Sequence, residues 1–97
     1  MDLSGNPYVI FPGDVPAEGY LEIRPAGAPV FIDVITWSGY IDAAHVCDLK
    51  DGRDRELFFR LGNTDYSSVT ESFCGRSGFM GLRLYSLQSG QLYIYLR

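Results

Sequence analysis

The sequence predicts an all-β domain, a small antiparallel β-sandwich of about seven or eight short strands in a jelly-roll-like arrangement. Apolar residues recur with the two-residue period of half-buried strands, and turn-forming residues separate these runs every eight to twelve positions or so. Hardly any stretch has helical periodicity. A length of 97 residues allows one hydrophobic core, so we expect residues 1–97 to form a single domain.

The first two predicted strands are short. Tyr8–Phe11 lies between Pro7 and Pro12, and because proline lacks an amide proton this run is at most an edge strand or a segment that covers an edge. Gly19–Arg24 alternates regularly between apolar and polar residues. Pro25–Pro29 then ends this strand.

Val30–Trp37 is the most apolar strand. Strict alternation places Val30, Ile32 and Val34 on one face and Phe31, Asp33, Ile35 and Trp37 on the other. Two largely apolar faces indicate a central strand, or a strand whose outer face meets a partner. We interpret Asp33 as a hydrogen-bonded carboxylate at a strand edge, since no base or metal ligand accompanies it.

The middle of the chain is less regular. Tyr40–Cys47 is compatible with a strand, which we favour, and with a short helix capped by Asp42. The charged segment Asp48–Glu56 predicts a hairpin loop with Asp51-Gly52 at its tip, because its spacing does not match a calcium-binding loop. Alternation in the next strand would bury Leu57, Phe59 and Leu61 and expose Glu56, Phe58 and Arg60.

Two glycine-containing segments flank the next strand. Gly62–Asp65 predicts a turn, and Tyr66–Phe73 predicts an edge strand rich in Ser and Thr. Cys74–Gly78 lacks the residues of a phosphate-binding loop, so we expect a flexible connector.

The C-terminal segment predicts a β-hairpin over Phe79–Arg97 with a three-residue connection, Gln88–Gly90. The pairing would set Tyr85 against Tyr93, Leu84 against Ile94, Arg83 against Tyr95 and Leu82 against Leu96. One face then carries Leu82, Leu84, Leu92, Ile94 and Leu96, which we assign to the core. The other carries Arg83, Tyr85, Tyr93, Tyr95 and Arg97.

Composition argues against several classes of function. A net charge of −4 with a single lysine, Lys50, is unfavourable for nucleic-acid binding. No apolar run is long enough for a membrane helix, and Met1–Ser4 lacks the features of a secretory signal, so the compartment is not predicted. We expect Cys47 and Cys74 to be unpaired thiols, with a disulfide as the alternative.

Catalytic chemistry finds little support in the residues. His45 is the only histidine and lies two positions from Cys47, about 7 Å away along a strand, too far for a thiolate–imidazole pair. Neither paired carboxylates nor a metal-ligand cluster stand out. We therefore expect no enzyme activity, no catalytic or metal-binding residues and no cofactor.

Apolar residues at outward positions lead to a functional hypothesis. Clustered exposed apolar surface on a small domain is typical of a contact site. The candidate interface residues are Phe31, Ile35, Trp37, Phe58, Arg83, Tyr85, Tyr93 and Tyr95. We expect a structural assembly module that binds other protein subunits, as a homo-oligomer or within a larger assembly such as a viral or phage particle, as a capsid-associated or decoration component.

Two further interpretations remain. The tyrosines and Trp37 could stack on sugar rings, which would make the chain a carbohydrate- or receptor-binding module. The acidic surface would also suit a small protein inhibitor. Exposed coplanar rings would favour the carbohydrate interpretation, and a continuous apolar patch would favour assembly.

Overall fold

The computed structural model describes residues 1–62 and 68–97, with the side chains of residues 75–78 outside the description. Its strands are β1 (Tyr8–Ile10), β2 (Leu21–Ser38), β3 (Val46–Lys50), β4 (Glu56–Leu61), β5 (Ser68–Leu87) and β6 (Gln91–Leu96), and a 3-10 turn covers Pro12–Asp14. Neighbouring strands are antiparallel in the order β1-β6-β2-β5-β3-β4. The predicted all-β, antiparallel class is confirmed.

The described strands belong to one continuous sheet. A sandwich has two packed layers, and a single sheet forms two layers only when it bends over on itself. The sandwich and its jelly-roll topology therefore remain predictions. The buried apolar side chains form a single cluster that includes Trp37, Phe58, Leu84 and Ile94. Residues of β1 to β6 all contribute to this cluster, as one core requires.

Two long strands replace four of the predicted short ones. Gly19–Arg24 and Val30–Trp37 are joined in β2, and the run before Cys74 is joined to Phe79–Leu87 in β5. The expected flexible connector Cys74–Gly78 therefore lies within a strand, which corrects the sequence interpretation. β2 and β5 pair with each other from Leu21 opposite Leu84 to Ser38 opposite Ser68.

The predicted breaks are irregular points within these long strands. The pairing register shifts between Arg24 and Pro29 of β2, opposite the stretch from Met80 to Leu82 of β5. Gly81 has φ +83°, and a Cβ there would lie 2.8 Å from Cα of Ala26. Only glycine fits both the backbone conformation and this close approach, so Gly81 permits the two strands to remain paired at the irregularity.

The sheet has two ends. We call the β6 end the region formed by β1, β6, residues 29–38 of β2 and residues 68–80 of β5. We call the β3 end the region formed by β3, β4, residues 21–24 of β2 and residues 82–87 of β5. Side-chain contacts that join them include the ion pair of Arg60 with Glu71 at 3.3 Å and hydrogen bonds from Arg24 to the hydroxyl of Tyr8 at 3.1 Å and to the carbonyl of Pro29 at 3.2 Å.

The predicted pairing of the C-terminal hairpin is wrong, although its two arms and the connection between them are present. β2 lies between the arms, because β5 pairs with β2 and β3 whereas β6 pairs with β1 and β2. The connection passes over the end of β2, where a Cβ on Gly90 would overlap the carbonyl oxygen of Ser38. The assignment of Leu82, Leu84, Leu92 and Ile94 to the core is nevertheless confirmed, since all four are fully buried.

An irregularity in β2 overturns the predicted faces of that strand. Ile32 lies opposite Leu96 and Val34 opposite Tyr95, so β2 has one residue more than β6 between these pairs. Such a β-bulge reverses the alternation beyond it. The buried positions are therefore Val30 and Ile32 before the bulge and Ile35 and Trp37 after it.

A second bulge changes the faces of β4. Leu49 opposes Phe58 while Lys50 opposes Glu56, which leaves Leu57 as the additional residue. Leu57 and Phe58 are both buried, whereas Phe59 and Leu61 are exposed. The predicted burial of Phe59 and Leu61 and the predicted exposure of Phe58 are therefore wrong.

The segment before β3 is neither of the two predicted elements over most of its length. β3 begins at Val46, and the backbone N–H of His45 donates to the carbonyl of Asp42 at 3.1 Å in a turn. A hairpin loop joins β3 and β4 as predicted, but it covers residues 51–55 and not the whole of Asp48–Glu56, since Asp48–Lys50 belong to β3 and Glu56 begins β4. The predicted turn at 62–65 and the start of the strand at Tyr66 lie largely outside the described residues.

Candidate protein-binding surface

The eight candidate interface residues have very different exposures. Ile35, Trp37 and Phe58 are wrong as outward-facing residues, since they are 0%, 0% and 1% exposed. Phe31 and Tyr95 are exposed, at 48% and 39%. The remaining three tyrosine and arginine positions, Arg83, Tyr85 and Tyr93, are half-buried.

The predicted tyrosine face is divided between the two ends of the sheet. Tyr93 and Tyr95 belong to β6, where Tyr93 lies between Val9 and Thr36 of the neighbouring strands. Tyr85 belongs to the β3 end, where its ring centroid lies 5.1 Å from that of Tyr20. The insertion of β2 between β5 and β6 separates these groups, so they cannot act as one row.

A polar cluster surrounds Tyr85. Its hydroxyl donates a short hydrogen bond to Asp54, which also accepts one from Arg83 at 3.3 Å. The Arg83 guanidinium lies 4.6 Å from the ring centroid of Tyr20, and the ammonium of Lys50 lies 5.2 Å from that of Tyr85. The hydrogen bond from Tyr85 lowers the pKa of Asp54, and the same bond raises the pKa of Tyr85. These contacts attach the β3–β4 loop to β5.

A buried carboxylate shapes that loop from within. Asp51 is fully buried and accepts hydrogen bonds from the backbone N–H groups of Arg53 and Arg55, both at 2.9 Å, and from Nε of Arg55 at 2.8 Å. Burial alone would raise the pKa of Asp51, but these bonds and the Arg55 charge outweigh it and the pKa is lowered. Asp51 thus accepts the hydrogen bonds that hold the β3–β4 loop in its conformation.

Two carboxyl groups approach each other at the start of β4. Reduced hydration of the carboxyl, a hydrogen bond with Asp48 and the Asp48 charge raise the pKa of Glu56 to about 7. Lys50 lies opposite Glu56 in the sheet, and its ammonium is 3.8 Å from Oδ2 of Asp48. The Oδ1 atom of Asp48 is buried and has no hydrogen-bond partner among the described residues. One lysine therefore balances two carboxyl groups here.

The two edges of the sheet differ in how they are protected. β1 is three residues long and lies between Pro7 and Pro12. Its outer edge is paired with Asp2, which exchanges two backbone hydrogen bonds with Val9 at 2.7 and 2.8 Å. Prolines, short length and a covering segment are the usual protections of an edge strand.

Among residues 1–62 and 68–97, the opposite edge, β4, has none of these features. It is six residues long and, within residues 1–62 and 68–97, pairs only with β3. Phe59 and Leu61 on its outward face are 46% and 55% exposed, and Leu61 lies opposite the half-buried Val46 of β3. An edge with unpaired backbone groups and exposed apolar side chains is a template for another strand.

Phe59 and Leu61 are the residues that sequence analysis assigned to the core. Alternation from Leu57 predicted their burial, and the bulge at Leu57 reverses it. The adjacent pair Phe58-Phe59 was a usable signal of the exposed aromatic ring. Two adjacent residues in a regular strand face opposite sides, so only one of the two rings can face the core.

A serine–histidine contact was not predicted. Nδ1 of His45 lies 2.9 Å from Oγ of Ser89, and the backbone N–H of Ile41 donates to the same Oγ at 3.1 Å. Ser89 is only 7% exposed, so its hydroxyl is poorly accessible to a substrate. The contact holds the segment before β3 against the connection between β5 and β6.

The cysteines are both free, as expected. Cys47 is fully buried, and burial together with the charges of Asp48 and Glu56 raises the pKa of its thiol. Cys74 is exposed, and its Sγ lies 3.4 Å from Oγ of Ser72. A buried thiol with a raised pKa is unsuited to nucleophilic chemistry.

Two other observations concern metal binding and membrane-spanning helices. Over the described residues, no group of three or more His, Cys, Asp or Glu side chains is arranged to hold a metal ion. The same part of the chain contains no helix with the length and hydrophobicity needed to cross a membrane.

Comparison with known proteins assigns no family. No family model matches the chain, and neither a curated protein nor a solved structure matches it significantly.

Proposed function

We propose that the chain is a non-catalytic assembly module that binds another protein through the edge of β4. The observation that carries this proposal is the exposure of Phe59 and Leu61 on an edge strand with no described second neighbour. Unpaired backbone groups supply affinity through hydrogen bonds, and exposed apolar side chains supply contact area. The opposite edge is covered by Asp2, which supports β4 as the edge used.

The proposed partner belongs to a larger protein assembly, of which a viral or phage particle is one kind. A single strand pairing buries little surface, so repetition within an assembly is the setting in which such a contact is effective. Phe31 and Tyr95, both exposed at the β6 end, are candidates for a second contact with a neighbouring subunit.

The carbohydrate-binding alternative has less support. The indole N–H of Trp37 donates to the carbonyl of Ser89, and the ring is fully buried, so it offers no stacking surface. The rings of Tyr20 and Tyr85 are inclined at 45° to each other and do not form the flat platform that sugar stacking prefers.

The test is affinity purification from the native cells with three tagged forms of the chain. They are the wild type, the double variant Phe59→Ser/Leu61→Ser, and Phe11→Ser as a matched exposed control. We expect the wild type and the control to retain the same partner and the double variant to lose it. Urea unfolding checks that all three are folded. Retention of the partner by the folded double variant would reject the proposal.

A further inference from the structure

The edge of β4 that has no neighbour among the described residues, called its free edge below, also indicates what kind of segment fits it. We infer that the partner adds an extended segment antiparallel to β4, with the pattern apolar–x–apolar–x–basic, in which the basic residue lies opposite Glu56. This inference rests on the proposed function and specifies the partner of the same surface.

The spacing follows from the strand that already pairs with β4. On the outward face of β3, Val46, Asp48 and Lys50 lie opposite Leu61, Phe59 and Glu56. Residues 46–50 of β3, five positions, therefore lie opposite residues 56–61 of β4, six positions, because the bulge at Leu57 adds one residue to β4. An antiparallel strand on the free edge meets the same sequence of side chains, Leu61, then Phe59, then Glu56.

The two apolar positions of the pattern follow from exposure. Leu61 and Phe59 project from the outward face and are about half exposed. Cross-strand apolar pairs stabilise a sheet and reduce the apolar area in contact with water. β3 already provides one such pair, Val46 with Leu61. Apolar side chains on the added strand would provide the equivalent pairs on the other side.

The basic position follows from an imbalance of charge. Glu56 and Asp48 share one neighbouring ammonium, that of Lys50, which is 3.8 Å from Asp48 and 5.2 Å from the Tyr85 ring. Reduced hydration of the carboxyl raises the pKa of Glu56 most, the hydrogen bond with Asp48 and the Asp48 charge raise it further, and the Lys50 charge opposes these effects only in part. A Lys or Arg on the added strand would stabilise the charged form of Glu56 without disturbing the Lys50–Asp48 contact.

Three arginines near this part of the sheet have acidic partners within the chain. Arg60 pairs with Glu71 at 3.3 Å, Arg83 contacts Asp54, and Nε of Arg55 donates to Asp51. These contacts use acidic groups other than Glu56. The net charge of −4 further favours a basic segment through long-range attraction.

The probes are three synthetic peptides. The first, Thr-Val-Thr-Val-Thr-Lys-Thr, has the inferred pattern, the second carries Glu in place of Lys, and the third carries Pro in place of the central Thr-Val pair. Binding is followed by NMR shifts of the backbone amides of the full chain, up to roughly millimolar peptide. Glu56→Gln is the test variant, and Glu22→Gln on β2 is the matched control.

We expect the lysine peptide to shift the NMR signals of the backbone amides of β4. It should bind about five- to tenfold more tightly than the glutamate peptide, because lysine forms an exposed ion pair with Glu56 whereas glutamate is repelled by it. The proline peptide should not bind, because it cannot complete the ladder. Glu56→Gln should reduce the preference for lysine to about twofold or less, and Glu22→Gln should leave it unchanged.

Three results would overturn the inference: equal affinity for the lysine and glutamate peptides, a preference that survives Glu56→Gln, or no change at β4 at the highest concentration. Each is separate from failure of the proposed function, which depends on whether Phe59→Ser/Leu61→Ser loses the native partner. Loss of that partner without a preference for lysine would reject the inference alone.

Discussion

The indole N–H of Trp37 donates a hydrogen bond of 2.8 Å to the carbonyl of Ser89, in the connection that carries the chain from β5 to β6. Both residues are buried. The bond joins positions far apart in sequence and fixes this connection over the end of β2. A buried carbonyl without a partner is costly, so the indole has a structural role that another aromatic ring cannot fill.

Trp37→Phe should therefore destabilise the chain by about 2 to 4 kcal/mol, from the lost hydrogen bond and the cavity left by the smaller ring. Urea unfolding measures the free energy. Phe31→Leu, at an exposed position of the same strand, is the control and should change it by only about 0.5 kcal/mol. Equal effects of the two substitutions would contradict the role assigned to the indole.

Gly81→Ala should destabilise by about 2 kcal/mol or more, because an L-residue is strained at φ +83° and the new Cβ would overlap the backbone of Pro25 and Ala26. Gly13→Ala is the matched control, since a Cβ there has no atom within 4 Å. Thermal unfolding of both variants distinguishes the local constraint from a general effect of alanine. A Gly81→Ala protein as stable as Gly13→Ala would show that the two strands can separate at this point without cost.

Ile94→Ala should cost about 2 to 5 kcal/mol as a truncation in the core, whereas Tyr93→Ala should cost well under half as much because Tyr93 is half-buried. Urea unfolding of the two adjacent variants provides the comparison. Equal destabilisation would mean that the outward face of β6 is as closely packed as the core.

The stability of the chain should depend on pH through Glu56. Its pKa rises from an ordinary 4.5 to about 7 on folding, so between these values the folded chain binds more protons than the unfolded chain. The contribution of Glu56 to stability is therefore fully present below about pH 4.5 and is lost as the pH rises towards 7. Asp48 and Lys50 are the charged groups beside it.

Glu56→Gln isolates this contribution, because the glutamine does not titrate. We expect the stability difference between wild type and variant to fall steadily from pH 4.5 to pH 7.5 in urea unfolding. A difference independent of pH would indicate an ordinary pKa for Glu56. Glu22→Gln serves as the control for a change of net charge.

The cysteines should differ in reactivity. In the native chain a thiol reagent should modify Cys74, which is exposed, and should modify Cys47 only slowly, because that thiol is fully buried and has a raised pKa. In denaturant without reductant both of the two cysteines should react. Rapid modification of both in the native state would mean that β3 opens readily.

Sequence patterns predicted the faces of strands where pairing is regular. Leu92 and Ile94 were assigned to the core correctly because β6 has no internal irregularity between them. In β2 and β4 the same reasoning failed after one bulge, and every later residue was placed on the wrong face. A bulge depends on the pairing of two distant strands, so local alternation contains no signal for it.

The candidate site was predicted only in part for the same reason. The exposure of Phe31 and Tyr95 was anticipated, but Phe59 and Leu61 were assigned to the core. The hairpin interpretation placed Tyr85 beside Tyr93, since a short connection usually joins paired strands. Insertion of β2 between these strands is a property of the whole sheet, and residues near the connection could not reveal it.

The order of the strands also determines how the chain can fold. β3 and β4 form the one described pairing between strands adjacent in sequence, while β2 pairs with β5 and β1 with β6 across most of the chain, as in Leu21 opposite Leu84 and Val9 opposite Tyr93. Such pairings require the chain to close large loops, and the entropy lost in closing them is recovered only after the contacts form. The folding rate should therefore be low for a domain of this size. The local β3–β4 hairpin can form first, with the free edge of β4 already available while the rest of the sheet is still incomplete.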